Sequence, residues 1–453
     1  MGLVTRAIPA TATFEWIDTL AHRLLRVDLV PLERLRGWEE DPRTGFLRHR
    51  TGRFFTVVGI ESADGRGGPR WRQPILDQPD IGILGVLARM GEGVPELLVQ
   101  GKVEPGNVNG VQLAPTVQAT SSNYERVHGG RAVPYLELFR DPAGRRLADC
   151  RQSEHGDWFD RKSNRNMVVA VAGRIEPDPG FRWLSLPELH RMLEVDDLVN
   201  MDMRSVLACL PFASTGLLDG ADRAGGLAGA LARSYRRTRS ASGTLADVQA
   251  ALAAARRSSR LVTHRRPLRG LPGWVRAGGV VRHAGGRHFE VVGVDVAGEG
   301  REVDRWSQPM IRAVDVGLAA MLVTRIDGVA HVLASFRAEP GYRAQVEIGP
   351  TVSSRGRWAD LGADVLPPHL ATILSHCPDG VRFDVVQSEE GGRLFQTRTR
   401  HLVVESGYVE PGPGHRWLTL GQLEALVAQG HAVDIDARSL MACFQALVTR
   451  DPA

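Results

Sequence analysis

Lysine is nearly missing from this chain. Lys102 and Lys162 are the only two among 56 basic residues. A bias toward arginine codons accounts for the scarcity and draws attention to the exceptions. An ammonium is a compact point charge on a flexible stem and a guanidinium is a planar fork, so a lysine kept in such a background marks a position that arginine fits poorly. Cysteine is scarce too. Cys150, Cys209, Cys377 and Cys443 form no CxxC pair and no zinc-ligand spacing, which points to reduced, mostly buried thiols and no metal site. No stretch approaches the roughly 20 consecutive apolar residues of a membrane span. Residues 1–9 carry Arg6 with no apolar run behind it, unlike a secretory signal, so a cytoplasmic protein is expected. A Gly-rich dinucleotide fingerprint is also absent, and no nicotinamide cofactor is expected.

What is present is a soluble composition, 43% apolar and 24% charged, over 453 residues. That length exceeds one ordinary core and calls for two or more domains. The net charge of +4 is spread along the chain, and its only dense basic stretch is 256–266. A nucleic-acid binder concentrates its charge on one face, so nucleic acid is not the expected partner. A small polyanion suits the mild excess better.

Internal repetition organises the rest. Trp71-Arg72-Gln73-Pro74 returns as Trp306-Ser307-Gln308-Pro309, an offset of 235. At the same offset Glu104-Pro105-Gly106 returns as Glu339-Pro340-Gly341, Pro115-Thr116-Val117 as Pro350-Thr351-Val352, and Gln152-Ser153-Glu154 as Gln387-Ser388-Glu389. Arg182-Trp183-Leu184 and Arg204-Ser205 recur one residue closer, as Arg416-Trp417-Leu418 and Arg438-Ser439. The repeat covers roughly 31–211 and 267–447. A period this long is a duplicated domain, since solenoid repeats run about 20–50 residues.

Each copy reads as a mixed α/β (α+β) module. Strands are expected at 54–60, 81–88, 96–100 and 167–172, and at 289–294, 316–323, 330–335 and 401–405. Helices close each copy, with capping boxes Ser185/Glu188 and Thr419/Gln422 and further helices after Asp202 and Asp436. The expected domains are 1–212, a linker at 213–266 with one helix at 245–257, and 267–453. A further amphipathic helix is expected at 13–25.

Two stretches carry candidate chemistry. The first runs from Lys102 through Glu104 and Asn107, then Gln112, Thr116, Gln118 and Thr120, then Asn123, Tyr124 and His128. Its alternation gathers the even-numbered amides and hydroxyls on one strand face, suited to sugar hydroxyls and a pyrimidine edge. A solvated edge strand would carry more charge. The second contains Gln152, Ser153, Glu154, Arg161, Lys162, Asn164 and Arg165, whose three cations suit a diphosphate and equally an ordinary basic loop. Trp71, beside Gln73, and Trp183 are candidates to stack on a nucleobase. A tryptophan inside a repeated motif is equally well explained as core.

The segments 100–120 and 123–130, with 152–154 and 161–166, closely resemble the NDP-hexose 2,3-dehydratases of deoxysugar pathways, and the resemblance includes the duplication. It implies a dTDP-4-keto-6-deoxy-D-glucose substrate, a 3,4-diketo-2,6-dideoxy product, a Nudix-like fold in each half and a homodimer. The second copy departs from the pattern, with Tyr342 for Asn107, Ser353 for Gln118 and an unrelated loop after it. The working site is therefore expected in the first copy. Neither half has the acid-rich helix of metal-dependent Nudix hydrolysis, so diphosphate hydrolysis is not expected.

The implied reaction follows from carbonyl chemistry. A C4 ketone acidifies the C3 proton. Its removal gives an enolate, the C2 hydroxyl leaves as water, and the enol relaxes to a C3 ketone with no net redox. The site needs a base, an acid and donors to the enolate oxygen. Glu104, Glu154 and His128 are candidate bases, and Tyr124 and Lys102 are candidate donors. An epimerase using the same enolate, or a nonenzymatic nucleotide-sugar-binding module, would share these features and release no water.

Overall fold

The computed structural model describes residues 11–64, 70–90, 94–120, 132–140, 144–173, 175–298, 304–355 and 367–450. Asn123, Tyr124 and His128 lie outside them. Two seven-stranded sheets dominate. The first orders Arg145–Ser153, Ser163–Ala170, Gly82–Arg89, Glu96–Val103 and Phe181–Ser185. The short strands Val111–Ala114 and Val117–Ala119 pair beside Glu96–Val103 and Gly82–Arg89. The second repeats the arrangement with Val381–Ser388, Arg398–Glu405, Gly317–Ile326, Val329–Ala338 and His415–Leu418. In each sheet one central pair is parallel and starts at matching positions, Gly82 opposite Asn164 and Gly317 opposite Thr399. The apolar runs 82–88 and 317–324 are buried throughout, as central strands covered on both faces require.

Each copy also has a smaller sheet, and each is completed by the other copy. Leu261–Arg266 pairs along Thr56–Asp64 of the first copy, whereas Arg26–Val30 pairs along Phe289–Ala297 of the second. The two exchanged strands start 235 residues apart, so the leading strands have changed places. The exchange covers an edge that would otherwise present unpaired backbone groups.

The helices meet between the large sheets in one shared core. Met201–Cys209 and Ile435–Thr449 are capped by Asn200 and Asp434, whose side chains accept from Met203 N and Ala437 N at 2.8 Å each. Met203, Leu207, Met441 and Phe444 are buried together there. Thr419 and Gln422 form the expected capping box. Ser185 caps its helix from Glu188 N, but the Glu188 carboxylate accepts instead from Thr13 Oγ at 2.7 Å, which ties down the N-terminal helix Thr11–Thr19.

The stretch before the second copy is more structured than its Gly, Ala, Ser and Arg content suggests. Beside Leu245–Ser258 it holds a helix at Gly226–Tyr235 that buries Ala230, Leu231 and Tyr235 in the shared core. That segment is not a surface linker. Small residues there permit close packing, a use that composition does not distinguish from flexibility. No helix among the described residues is long and apolar enough to cross a membrane.

Many repeated words tie the copies together. Trp38 Nε1 donates to Ser307 O at 2.7 Å, and Trp274 Nε1 donates to Arg72 O at 2.6 Å. Gly106 N donates to Gly391 O, and Gly341 N to Gly156 O, both at 2.7 Å. A Cβ on Gly106 would lie 1.9 Å from Leu394 O, and one on Gly341 would lie 1.9 Å from Phe159 O. Only glycine allows that approach.

Candidate active site

A cavity of about 990 Å³ opens against the first large sheet. Lys102 reaches it from the end of Glu96–Val103, Glu104 from the turn that follows, and Gln118 from the short strand beside Gly82–Arg89. Lys102 Nζ donates to Gln118 O at 3.2 Å and stands 3.5 Å from Glu104 Oε1. Gln118 Nε2 donates to both Glu104 oxygens at 3.2 and 3.3 Å, and Asn200 Nδ2 donates to Gln118 Oε1 at 3.0 Å. These bonds fix the Glu104 carboxylate from one side.

Glu154, Lys162 and Asn164 enter from the strand pair beside it. Asn164 Nδ2 donates to Glu154 Oε1 at 2.6 Å, while Glu154 Oε2 is buried with no hydrogen-bond partner among the described residues. Lys162 Nζ donates to Asp80 O at 2.5 Å, and desolvation lowers its pKa below the usual lysine range. Thr120 also lines the cavity.

Several contributors were not among the site residues expected from the sequence. Asp202, in the first turn of Met201–Cys209, lies on the cavity floor with Oδ1 unpartnered among the described residues. Burial, then the charges of Glu154, Glu390 and Glu104, hold its carboxyl well above the ordinary range. Glu390 and Arg393 come from the second copy. Burial, then Glu104, raises the Glu390 carboxyl to about 7. Trp306 lines the cavity as well, together with Trp38, His49 and Phe54. The wall thus offers carboxyls, two ammonium groups, amides and aromatic faces, the inventory for general acid–base work on a polar ligand carrying a ring.

Comparison with known proteins agrees with this chemistry. The family model described as NDP-hexose 2,3-dehydratase matches residues 11–210 and 245–444. The chain belongs to the NDP-hexose 2,3-dehydratase family. It is 42% identical to a dTDP-4-dehydro-6-deoxy-alpha-D-glucopyranose 2,3-dehydratase of Streptomyces violaceoruber, over 94% of each chain. It is 40% identical to a protein of the same name from Saccharopolyspora spinosa, over 97% of this chain and 92% of the relative. A third protein of that name, from Amycolatopsis orientalis, is 39% identical over 93% of this chain and 87% of the relative.

Several residues singled out from the sequence of this family member do not line the cavity. Gln152 Nε2 donates to Val427 O at 2.7 Å, and Ser153 Oγ donates to Glu347, so both bind the other copy. Gln73 Nε2 donates to Asp157 O within its own copy. Asn107 Nδ2 donates to Gly110 O at 2.7 Å within its own turn, and Gln112 Nε2 to Asn109 Oδ1 at 3.2 Å. Thr116 does line the cavity, but its hydroxyl accepts from Leu87 N and donates to Leu98 O. Thr351 does the same in the second copy. The expected polar face is broken at Pro115, where the chain leaves one neighbouring strand and joins another. Arg165 forms two 2.7 Å bonds with Asp149, and exposed Arg161 contributes its backbone N–H to Gly341 O at 2.9 Å. Trp183 Nε1 donates to Ile175 O at 2.9 Å beside a hydrophobic cluster. Trp71 is half-buried away from the wall, whereas its counterpart Trp306 lines it.

The equivalent place in the second copy is filled by its own side chains. Arg355, the counterpart of Thr120, bonds both Asp436 oxygens at 2.7 and 2.8 Å, Asp157 at 3.1 Å and Thr399 at 3.2 Å, and stands 3.5 Å from Glu389. Arg337, the counterpart of Lys102, bonds Glu339 at 2.7 Å and Asp434 at 3.1 Å. Tyr342 donates to Asp434 at 3.3 Å. Among the described residues, His155, Glu389 and Asp436 are the one group close enough to hold a metal ion. The Arg355 guanidinium already contacts all three.

Proposed function

We propose that this chain removes water from a dTDP-linked 4-keto-6-deoxy-D-glucose to give the 3,4-diketo-2,6-dideoxy sugar, and that the cavity of the first copy is where it does so. The observation that carries this reading is the meeting of Lys102, Glu104, Glu154 and Asp202 on one cavity of about 990 Å³, in a chain about 40% identical to proteins named for that reaction. In this scheme Glu104 or Glu154 takes the C3 proton. The Lys102 ammonium faces the developing C4 enolate oxygen, where a preorganised charge in a desolvated site is most effective. Collapse of the enolate expels the C2 hydroxyl, which leaves as water. Tautomerisation of the C2–C3 enol then gives the C3 ketone. Elimination and tautomerisation exchange no electrons with any outside acceptor or donor, so no redox cofactor enters the scheme.

Asn123, Tyr124 and His128 remain candidates for substrate contact, and Arg161 and Lys162 for the diphosphate. The same reading takes the enzyme as a cytoplasmic homodimer of a natural-product deoxysugar pathway. It divides the chain into modules 1–212 and 267–453 with a Nudix-like likeness in each. Incubation of the purified protein with dTDP-4-keto-6-deoxyglucose, followed by product mass, tests the activity. Loss of one water supports it, and an unchanged mass, as from an epimerase or a binding module, overturns it.

A further inference from the structure

The two copies hold corresponding acidic clusters with unequal positive counter-charge. In the second copy Arg337 and Arg355 pair with Glu339, Glu389, Asp434 and Asp436. In the first copy the positions of those arginines are Lys102 and Thr120, so one guanidinium is gone and the other is an ammonium. Glu104, Glu154 and Asp202 remain, and Glu390 joins them from the second copy. Among the described residues, Lys102 is the one basic group within 4 Å of these four carboxyls. Lys162 turns to Asp80, and Arg393 to Gln78 and Gly392 O. Four carboxyls facing one cavity with so little compensation cannot all be ionised at neutral pH. The cluster therefore stores a proton.

Glu390 is the member built to present that proton to a ligand. Its counterpart is His155, which lies at the second site against Glu389 and Arg355, so each copy's loop reaches into the other copy's site. The Gly106–Gly391 bond at 2.7 Å locks Glu390's loop across the first cavity. Gly392 N and Arg393 N donate to its two oxygens at 2.9 and 2.8 Å, fixing the carboxyl's direction. Glu390 is half-buried, whereas Asp202 is buried on the floor.

We propose that Glu390, supplied by the second copy, is the proton donor to the departing C2 hydroxyl, an inference that rests on the dehydratase reading above. As the enolate electrons form the C2–C3 double bond, the C2–O bond breaks and its electron pair takes the Glu390 proton, releasing water. The base that removed the C3 proton returns it to C2 in the tautomerisation. The enol O–H proton restores the Glu390 acid through solvent, so every proton is accounted for. The charged groups acting on Glu390 are Glu104, Glu154, Asp202 and Arg393, and Lys102 and Lys162 line the same cavity. Burial, then the acidic neighbours Glu104 and Glu154, hold it protonated up to about pH 7, against the lowering by Arg393 and the Gly392 N–H.

The test compares the 2-hydroxy substrate with its 2-deoxy-2-fluoro analogue, whose leaving group departs without a proton. Glu390→Gln is expected to lose at least about 100-fold in kcat on the hydroxyl substrate, the usual range for a general acid, and to stay within roughly three-fold of the wild type on the fluoro substrate. The wild-type kcat/KM is expected to fall as pH rises through about 7, and the variant to lack that limb. An equal loss on both substrates in a cooperatively melting variant would assign Glu390 a structural role and overturn the proposal, as would full activity on the hydroxyl substrate. A wild-type protein that releases no water from the hydroxyl substrate sinks the dehydratase reading itself, and this proposal with it.

Discussion

Arg204 and Arg438 cross between the copies in opposite directions. Arg204 Nε donates to Ser439 Oγ at 3.2 Å, and Arg438 Nε donates to Ser205 Oγ at 3.0 Å. Each then reaches the other copy's edge strand, Arg204 to Ser388 O at 3.1 Å and Arg438 to Ser153 O at 2.6 Å. Both are fully buried. With the exchanged strands, these contacts make the copies parts of one folding unit. Removing either guanidinium leaves buried carbonyls without donors. Arg438→Ala is therefore expected to cost on the order of 3 kcal/mol, read as a lower midpoint in urea unfolding. A wild-type midpoint would show that the crossing adds no stability.

The same relationship explains what the sequence disclosed. Repetition exposed the duplication, and the strongest apolar runs became the central strands of both large sheets. The repeated Gln152-Ser153 and Trp71-Arg72-Gln73-Pro74 words looked like ligand chemistry because they are polar and aromatic. Gln152, Ser153 and the Arg72 carbonyl instead join the copies, and Gln73 holds a loop of its own copy, roles that produce the same pattern of recurrence. Asp202 was visible only as a helix start. Glu390 was hidden because its counterpart is a histidine and because it serves the other copy's cavity. The strand exchange pairs segments separated by roughly 200 residues in one sheet and more than 260 in the other, and no local pattern marks such a pairing.

Lys102→Arg is expected to reduce kcat/KM at least about ten-fold, equivalent to roughly 1.4 kcal/mol, with the melting temperature kept. The second copy shows what arginine does at this place. Arg337 passes Glu339 and reaches across to Asp434, so its fork spans the space where a ligand would lie. Steady-state kinetics equal to the wild type would mean that the ammonium has no special task.

Thr120→Arg is expected to convert the first site toward the second. The new guanidinium would reach Asp202 and Glu154 as Arg355 reaches Asp436 and Glu389. Its charge would ionise the Asp202 carboxyl and its bulk would fill the cavity. Turnover should fall by at least about 100-fold, a loss typical of disabling acid–base groups, with thermal stability equal or higher. Retained turnover would place the reacting sugar away from Thr120.

Turnover is expected to survive prolonged treatment with EDTA. The group of His155, Glu389 and Asp436 is occupied by the Arg355 guanidinium, a monovalent cation fixed in the chain. Loss of activity on chelation, restored by a divalent ion, would reveal a metal requirement.

Glu347 gives a pH-dependent stability that is separable from catalysis. It is fully buried outside the cavity wall, accepts from Ser153 Oγ through one oxygen, and has no described partner for the other. Burial raises its carboxyl from 4.5 to about 7. Between those values the folded chain holds a proton there that the unfolded chain has released, so stability falls as pH rises. The favourable contribution is complete below about pH 4.5 and gone above about 7, a change of roughly 3 kcal/mol for a shift of that size. Glu347→Gln cannot titrate. Its unfolding free energy relative to the wild type is expected to improve from about pH 5 to about pH 7 and to level off above that, while kcat/KM at neutral pH stays within about two-fold of the wild type, a difference of roughly 0.4 kcal/mol. Urea unfolding of both proteins across that range reads the difference directly. Parallel pH profiles would mean that Glu347 is ionised in the folded protein throughout.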